Sequence, residues 1–339
     1  MARRGGWRRR GSQRRGFRYE DSRGRPITDE AALARIDSLR IPPAWQDVWI
    51  SPRERAKLQA TGVDKAGRRQ YLYHPEFRAR QEQEKFDKLV HFAERLPDLR
   101  KVMSEHLDEE PLSLEWTAAV AVRLINEGWF RVGSDRYARS YRTFGITTLR
   151  KGHVRVRGSR ISFRFRAKHR LVCRTVVVDA ELAAAIKELL ALPGGRRLFR
   201  FRRDDEIYNL GARRLNEYIR ENMGEEFTAK DFRTWGGTLV AAIQLAEAKA
   251  AETATEQKRV VAAVMRTVGE RLGNTPAVAR ASYVSPAVVE QYLDGRTIDD
   301  YRPRHLRVVG ARALDLDQEE QALLSLLRSW RIRRERKAA

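Results

Sequence analysis

The sequence predicts an α+β protein: a small, mainly β amino-terminal domain, then a larger, mainly α carboxyl-terminal domain carrying a three-stranded antiparallel sheet. Three observations predict it. Residues 26–96 alternate short strand-like runs with turn signals. Three further strand-like runs, separated by short polar turns, cluster within residues 154–178. Beyond Asp179 the chain is helical in character, with Ala-rich stretches at 180–192 and 238–254.

In chain order, residues 1–25 hold ten Arg against two acids and lack apolar periodicity. They predict a disordered arm that touches DNA phosphate or nothing. Although this start is Arg-rich and acid-poor like a transit peptide, it lacks an amphipathic helical pattern. The β-rich domain, residues 26–96, is marked by Ile41-Pro42-Pro43-Ala44-Trp45 and Val48-Trp49-Ile50. Its last stretch turns helical, with Phe86, Leu89, Val90 and Ala93 at i, i+3, i+4 and i+7. Residues 97–111, bounded by Pro97 and Pro111, read as a connector to the second domain, 112–339. That domain opens with a buried helix over 112–130 that stops near Gly128. The strand runs 154–157, 161–166 and 171–178 follow, separated by Gly158-Ser159 and by Ala167-Lys168-His169-Arg170. The basic run 331–337 reads as a solvated, nonspecific contributor.

Composition narrows the partner. The chain has 68 Lys+Arg against 45 Asp+Glu, a formal net charge of +23, and this favours a polyanion, with nucleic acid leading. The first 25 residues supply only +8 of that, so the folded part is basic in its own right. The sequence has no apolar run of membrane-spanning length and no lipidation signal. Cys173, the only cysteine, excludes an internal disulfide framework and a multi-cysteine zinc site, and reads as a small buried hydrophobe in a strand. The expected setting is reducing and intracellular.

No HExxH, GxxxxGK[ST] or EF-hand pattern occurs, so any catalysis is expected to use side chains alone, with no cofactor and no metal. Five separated positions stand out. They are Arg131 in Phe130-Arg131-Val132-Gly133-Ser134, Lys168 in the sheet turn, Arg233 in Lys230-Asp231-Phe232-Arg233-Thr234-Trp235-Gly236-Gly237, Asn274 in Gly273-Asn274-Thr275-Pro276, and Tyr283 in Arg280-Ala281-Ser282-Tyr283.

In order and local context these resemble the Arg, Lys, Arg, His/Asn and Tyr of the type IB DNA topoisomerases of the poxvirus and bacterial group. The resemblance covers nearly the whole chain after the Arg-rich arm. Gly67-Arg68-Arg69-Gln70-Tyr71-Leu72-Tyr73-His74 also resembles that family's DNA-touching domain. The residue types suit the chemistry. A tyrosine oxygen is a poor nucleophile at its ordinary pKa of about 10, and a phosphodiester repels an approaching anion, so cationic donors must surround the phosphate. Arg131 and Arg233 each offer forked N–H donors to its nonbridging oxygens.

The resemblance further implies that Tyr283 is the nucleophile and Lys168 the general acid, with Lys230 a second participant. Asn274, a nontitrating donor, stands where poxvirus relatives carry His. It implies reversible strand breakage without ATP by a monomer that clamps duplex DNA, cytoplasmic and nucleoid-associated. Gln70, Tyr71, Tyr73 and Tyr137 are candidate DNA contacts. Asn274 and the high Arg and Ala content suggest a bacterial source.

Singly, each position has a plainer reading. Tyr283 is one of ten tyrosines, Arg131, Lys168 and Arg233 sit among many basic residues, and Asn274 before Thr-Pro suits a turn. Two alternatives stay open. A tyrosine site-specific recombinase shares the nucleophile and the two arginines, but its second arginine usually sits in His-x-x-Arg, whereas this chain has Lys230-x-x-Arg233. A noncatalytic basic DNA-binding protein would share the charge alone.

Overall fold

The computed structural model describes residues 5–168, 171–248, 251–302 and 315–338. The chain divides into two compact units, Met1–Lys85 and Phe86–Ala339. The fold class is the α+β arrangement that the sequence predicts.

The first unit is a five-stranded antiparallel sheet in the order β2-β1-β3-β4-β5. Its strands are β1 (Trp7–Ser12), β2 (Gly16–Glu20), β3 (Gln46–Ile50), β4 (Leu58–Val63) and β5 (Arg69–Tyr73). Helix α1 (Glu30–Ser38) covers one face, started by Asp29, whose carboxylate accepts from the Ala32 N–H at 2.8 Å. Ile36 packs there with Val48, Ile50 and Ala60, flanked by Trp7, Tyr19 and Leu72.

This corrects the disordered-arm expectation, since residues 7–20 form an ordered hairpin. Arginine count hid a two-residue alternation in which Trp7, Arg9, Phe17 and Tyr19 share one face. Arg9 lies 4.2 Å from the Phe17 ring and donates to the carbonyls of Pro42 and Trp45 at 3.1 and 2.7 Å, tying the hairpin to the following loop.

The connector expectation is corrected as well. Helix α2 (Pro75–Leu107) runs straight through Pro97, and the units part at residue 85 rather than 96. Proline inside a helix costs about 3 kcal/mol or more. Burial of Phe92, Ala93, Leu96, Leu99 and Met103 along α2 offsets that cost, because helices in proteins are held mainly by packing.

The second unit is built around α3 (Leu114–Gly128), buried nearly all round from Trp116 to Ile125. Ser113 caps its start and Trp129 ends it in the left-handed conformation, φ 51°. Helix α4 (Asp135–Tyr141) precedes the sheet β6 (Val154–Arg157), β7 (Arg160–Arg166), β8 (Val172–Val178), all antiparallel neighbours in that order. Along β7, Ile161, Phe163 and Phe165 face the core.

After α5 (Ala180–Ala191) comes a hairpin, β9 (Arg200–Arg203) and β10 (Glu206–Asn209), where the sequence predicts only helix. Its two-residue turn, Asp204-Asp205, has φ of 50° and 60°, a geometry that Asp tolerates better than most residues. Helices α6 (Ala212–Met223), α7 (Ala229–Glu247), α8 (Ala254–Leu272), α9 (Pro276–Ser282), α10 (Pro286–Leu293) and α11 (Gln318–Ala338) complete the unit. Among the described residues no helix is long and apolar enough to cross a membrane.

Candidate active site

Helix ends and one sheet turn converge on an open cleft of about 600 Å³ in the second unit. Arg131, Lys168, Lys230, Arg233 and Tyr283 all line it.

Arg131 follows the left-handed Trp129 at the end of α3. Its backbone is pinned where its carbonyl accepts from the Ile146 N–H at 2.8 Å. Gly145 makes this approach possible, because a Cβ there would lie 2.4 Å from the Arg131 carbonyl oxygen. The Arg131 guanidinium donates through Nη2 to the Gly273 carbonyl at 2.9 Å and to Asn274 Oδ1 at 2.8 Å. Burial, and then the charge of Arg233, pull its pKa down to about 10, which leaves it cationic at neutral pH.

Arg233 lies on α7, whose start is fixed by the Asp231 carboxylate, which accepts from the Thr228 N–H and hydroxyl at 2.8 and 2.9 Å. It is 4% exposed, so its charge needs fixed partners. Nη1 donates to the Trp129 carbonyl and Nη2 to the Leu272 carbonyl, the latter at 2.8 Å. Its Nε is buried with no hydrogen-bond partner among the described residues. Burial pushes the pKa of Arg233 down.

Tyr283 ends the short helix α9, and the Arg233 guanidinium carbon lies 5.1 Å from its ring centroid. Its carbonyl accepts from Thr238 Oγ1 of α7 at 3.2 Å. Gly237 lets the two segments meet, since a Cβ there would lie 2.7 Å from the Tyr283 carbonyl oxygen. Next to it, Gly236 accommodates the Trp129 indole, which a Cβ would overlap at 2.2 Å. Burial pushes the Tyr283 phenol up, but the charge of Arg233, a hydrogen bond from its side chain, and the charges of Arg131 and Lys230 together outweigh it, and the net shift is downward.

Lys168 is exposed at the cleft edge, just past the end of β7. The next two turn residues of the sequence pattern, 169–170, lie outside the described residues. Lys230 is exposed one turn before Arg233 on α7.

Asn274 does not line the cleft. Its Oδ1 accepts from Arg131 and its Nδ2 donates to the Leu272 carbonyl at 3.3 Å. Gly273, not Asn274, takes the left-handed conformation at the end of α8, while Thr275 caps α9. Cys173 sits half-buried on β8, where burial raises its thiol pKa.

The sequence reading missed Arg213, Asn216 and Arg220 of α6, which also line the cleft. Their i, i+3, i+7 spacing marks one helical face and was legible. It also missed the Trp129 and Leu272 carbonyls, for which no side-chain pattern exists.

Away from this cleft, Tyr71 and Tyr73 are 50% and 41% exposed on β5, with ring centroids 6.3 Å apart. Gln70 alternates to the other face and donates to Asp64 Oδ2 at 2.8 Å. Tyr137 is exposed on α4, with its ring 5.5 Å from that of Tyr141.

Residues 74–301 match the family model described as eukaryotic DNA topoisomerase I, catalytic core. Residues 16–64 match bacterial DNA topoisomerase IB, N-terminal domain. The chain is 33% identical over 268 residues to DNA topoisomerase 1B of Acanthamoeba polyphaga mimivirus, covering 77% of this chain and 80% of the relative. It is 22% identical over 284 residues to DNA topoisomerase 1B of vaccinia virus (strain Copenhagen), covering 81% and 86%.

Proposed function

The chain belongs to the type IB DNA topoisomerases of the poxvirus and bacterial group, and we propose that Tyr283 is the nucleophile with which it opens one strand of duplex DNA. It is an isomerase that relaxes supercoiled DNA by reversible transesterification through a 3′-phosphotyrosyl intermediate, without ATP.

The observation that carries the assignment of roles is the shared cleft, in which one phenol faces the cationic groups of Arg131, Lys168, Lys230 and Arg233. The neighbouring charges ease loss of the phenolic proton to water. The phenolate oxygen then bonds to phosphorus as the bond from phosphorus to the 5′-oxygen breaks. Arg131 and Arg233 donate to the nonbridging oxygens, whose charge grows in the transition state. The unpartnered Nε of Arg233 supplies one such donor. Lys168 protonates the departing 5′-oxygen, with Lys230 supporting it. Resealing reverses each transfer: the 5′-hydroxyl attacks phosphorus, its proton returns to Lys168, and the phenolate leaves.

Asn274 serves by holding Arg131, which in turn faces the phosphate. Tyr71, Tyr73 and Tyr137 meet sugar or phosphate, whereas Gln70, on the opposite face of β5, holds Asp64 and braces the turn before the strand. One chain carries every catalytic group, which supports action as a monomer. We place that action on the nucleoid of a bacterial cytoplasm, on the strength of Asn274 and the Arg- and Ala-rich composition.

The test is to quench a reaction on supercoiled plasmid with denaturing detergent, without ATP or magnesium. A covalent DNA adduct that Tyr283→Phe abolishes, together with relaxation, is the expected result. Relaxation by Tyr283→Phe at the wild-type rate would sink the assignment.

A further inference from the structure

We infer that the β1–β2 hairpin extends the DNA-facing side of the amino-terminal sheet into a track for the phosphates of the same duplex that Tyr71 and Tyr73 meet. The inference rests on the proposed DNA contact of those two tyrosines.

Register supports it. Residues directly opposite across an antiparallel pair share a face. Arg10 pairs with Arg18, Arg8 pairs with both Glu20 and Trp49, Trp49 pairs with Thr61, and Thr61 pairs with Tyr71. Arg8, Arg10 and Arg18 therefore share the face of Tyr71 and Tyr73, while the core residues Val48, Ile50 and Ala60 point the other way, toward α1.

The alternation also divides the arginines by job. Arg9, one position out of phase, is committed to the carbonyls of the 41–45 loop. Arg8 and Arg18 form no ion pair among the described residues. Arg10 pairs with Glu20 at 2.9 Å but keeps 58% of its side chain exposed. Three guanidinium groups against one carboxylate leave the hairpin face positive, and the exposed Arg14 and Arg15 of its turn add to that.

A row of three arginines whose neighbouring carboxylate, Glu20, is already taken by Arg10 suits phosphate rather than base edges, which need paired donors and acceptors. Strands lie roughly 4.8 Å apart, so β2 stands about 19 Å from β5 across the sheet. Along a duplex that distance matches about five to six base pairs at roughly 3.4 Å per pair. The family model of the amino-terminal domain begins at residue 16, so β1 with Arg8 and Arg10 lies outside that match.

The test measures duplex binding by the full chain in a Tyr283→Phe background, where cleavage is blocked. Replacing Arg8, Arg10 and Arg18 together by Gln is expected to lower the slope of log K against log salt by about 2 to 3, near 0.9 for each phosphate left without its guanidinium. At about 0.1 M salt this corresponds to weakening on the order of 10²-fold. The triple Lys variant is expected to keep the slope. Trimming the duplex by about six base pairs is expected to weaken the parent and not the Gln variant.

An unchanged slope and length dependence would overturn the inference. So would a Gln variant that loses binding to anionic lipid vesicles while its DNA binding stays intact, which would assign the face to a membrane. Adduct formation by the variant at saturating DNA, with Tyr283 restored, reads the catalytic assignment separately.

Discussion

Arg131 donates through Nη2 to Oδ1 of Asn274 at 2.8 Å, so the amide's acceptor is already occupied before any DNA arrives. Asn274 thereby works on the site partly through the arginine that it holds. Asn274→Ala removes the acceptor and lets Arg131 wander. Single-turnover cleavage is expected to slow by about 10²-fold, in the range of losing one transition-state donor. Asn274→His is expected to keep substantial relaxation near neutral pH, because a neutral imidazole nitrogen accepts from Arg131. Its activity should then fall relative to wild type as pH drops and the ring protonates, since an imidazolium has no acceptor. Arg131 and Arg233 disfavour that added charge, so the fall should lie below the ordinary histidine value of about 6.5. A completely dead but folded Asn274→His protein would count against this role.

The Tyr283 phenol is held below its ordinary value by Arg233, Arg131 and Lys230 against the opposing effect of burial. Subtracting the ultraviolet titration of Tyr283→Phe from that of the parent should isolate one phenol with a midpoint under about 10. Arg233→Gln should move that midpoint upward. An isolated midpoint at or above the free value would show that the charges do not reach the phenol.

Two glycines of α7 set the approach of the Tyr283 backbone and the Trp129 indole. Gly237→Ala places a Cβ 2.7 Å from the Tyr283 carbonyl oxygen, which as backbone cannot swing aside. Such overpacking typically costs about 1–3 kcal/mol. Cleavage is expected to suffer more than stability, because a displacement near 1 Å can cost about 10²-fold in rate. Thermal melting alongside single-turnover cleavage separates the two effects, and normal cleavage would refute the contact.

Arg233→Lys keeps the charge but replaces a planar fork by one ammonium. A lysine cannot span the Trp129 and Leu272 carbonyls as the two guanidinium nitrogens do. Loss of about 10²–10³-fold in cleavage rate is expected, with DNA affinity much less affected. Equal losses in affinity and rate would mean that Arg233 acts in ground-state binding alone.

The site was more legible in the sequence than the outlines of its domains were. Phosphate attack by a tyrosine needs particular side chains, and Arg131, Arg233 and Tyr283 stand in motifs that carry them. What holds those side chains was not legible. Gly128 marks the end of α3, but the left-handed conformation falls one residue later, on Trp129, which no sequence rule assigns to it. Asn274, read from the sequence as a donor, also accepts from Arg131 through Oδ1, a contact spanning 143 positions that no local pattern encodes.

In the fold, the periodicity of β7 and α3 was strong enough to read directly. Three features escaped because a single residue type dominated the local reading. Arginine count masked the alternation of β1 and β2, Pro97 suggested a break that packing overrides, and Asp204-Asp205 made a hairpin turn without the usual glycine.

The main-chain socket of Arg233 bears on how this chain can vary over generations. Substitutions at positions 129 and 272 change side chains but leave both carbonyl acceptors in place, so these positions are free to drift as far as the arginine is concerned. Insertions and deletions are another matter. Adding or removing one residue within α3 or α8 turns the following carbonyl by about 100° around the helix axis. Inheritance of the site is thus constrained by the lengths of two helices as well as by the identities of its side chains.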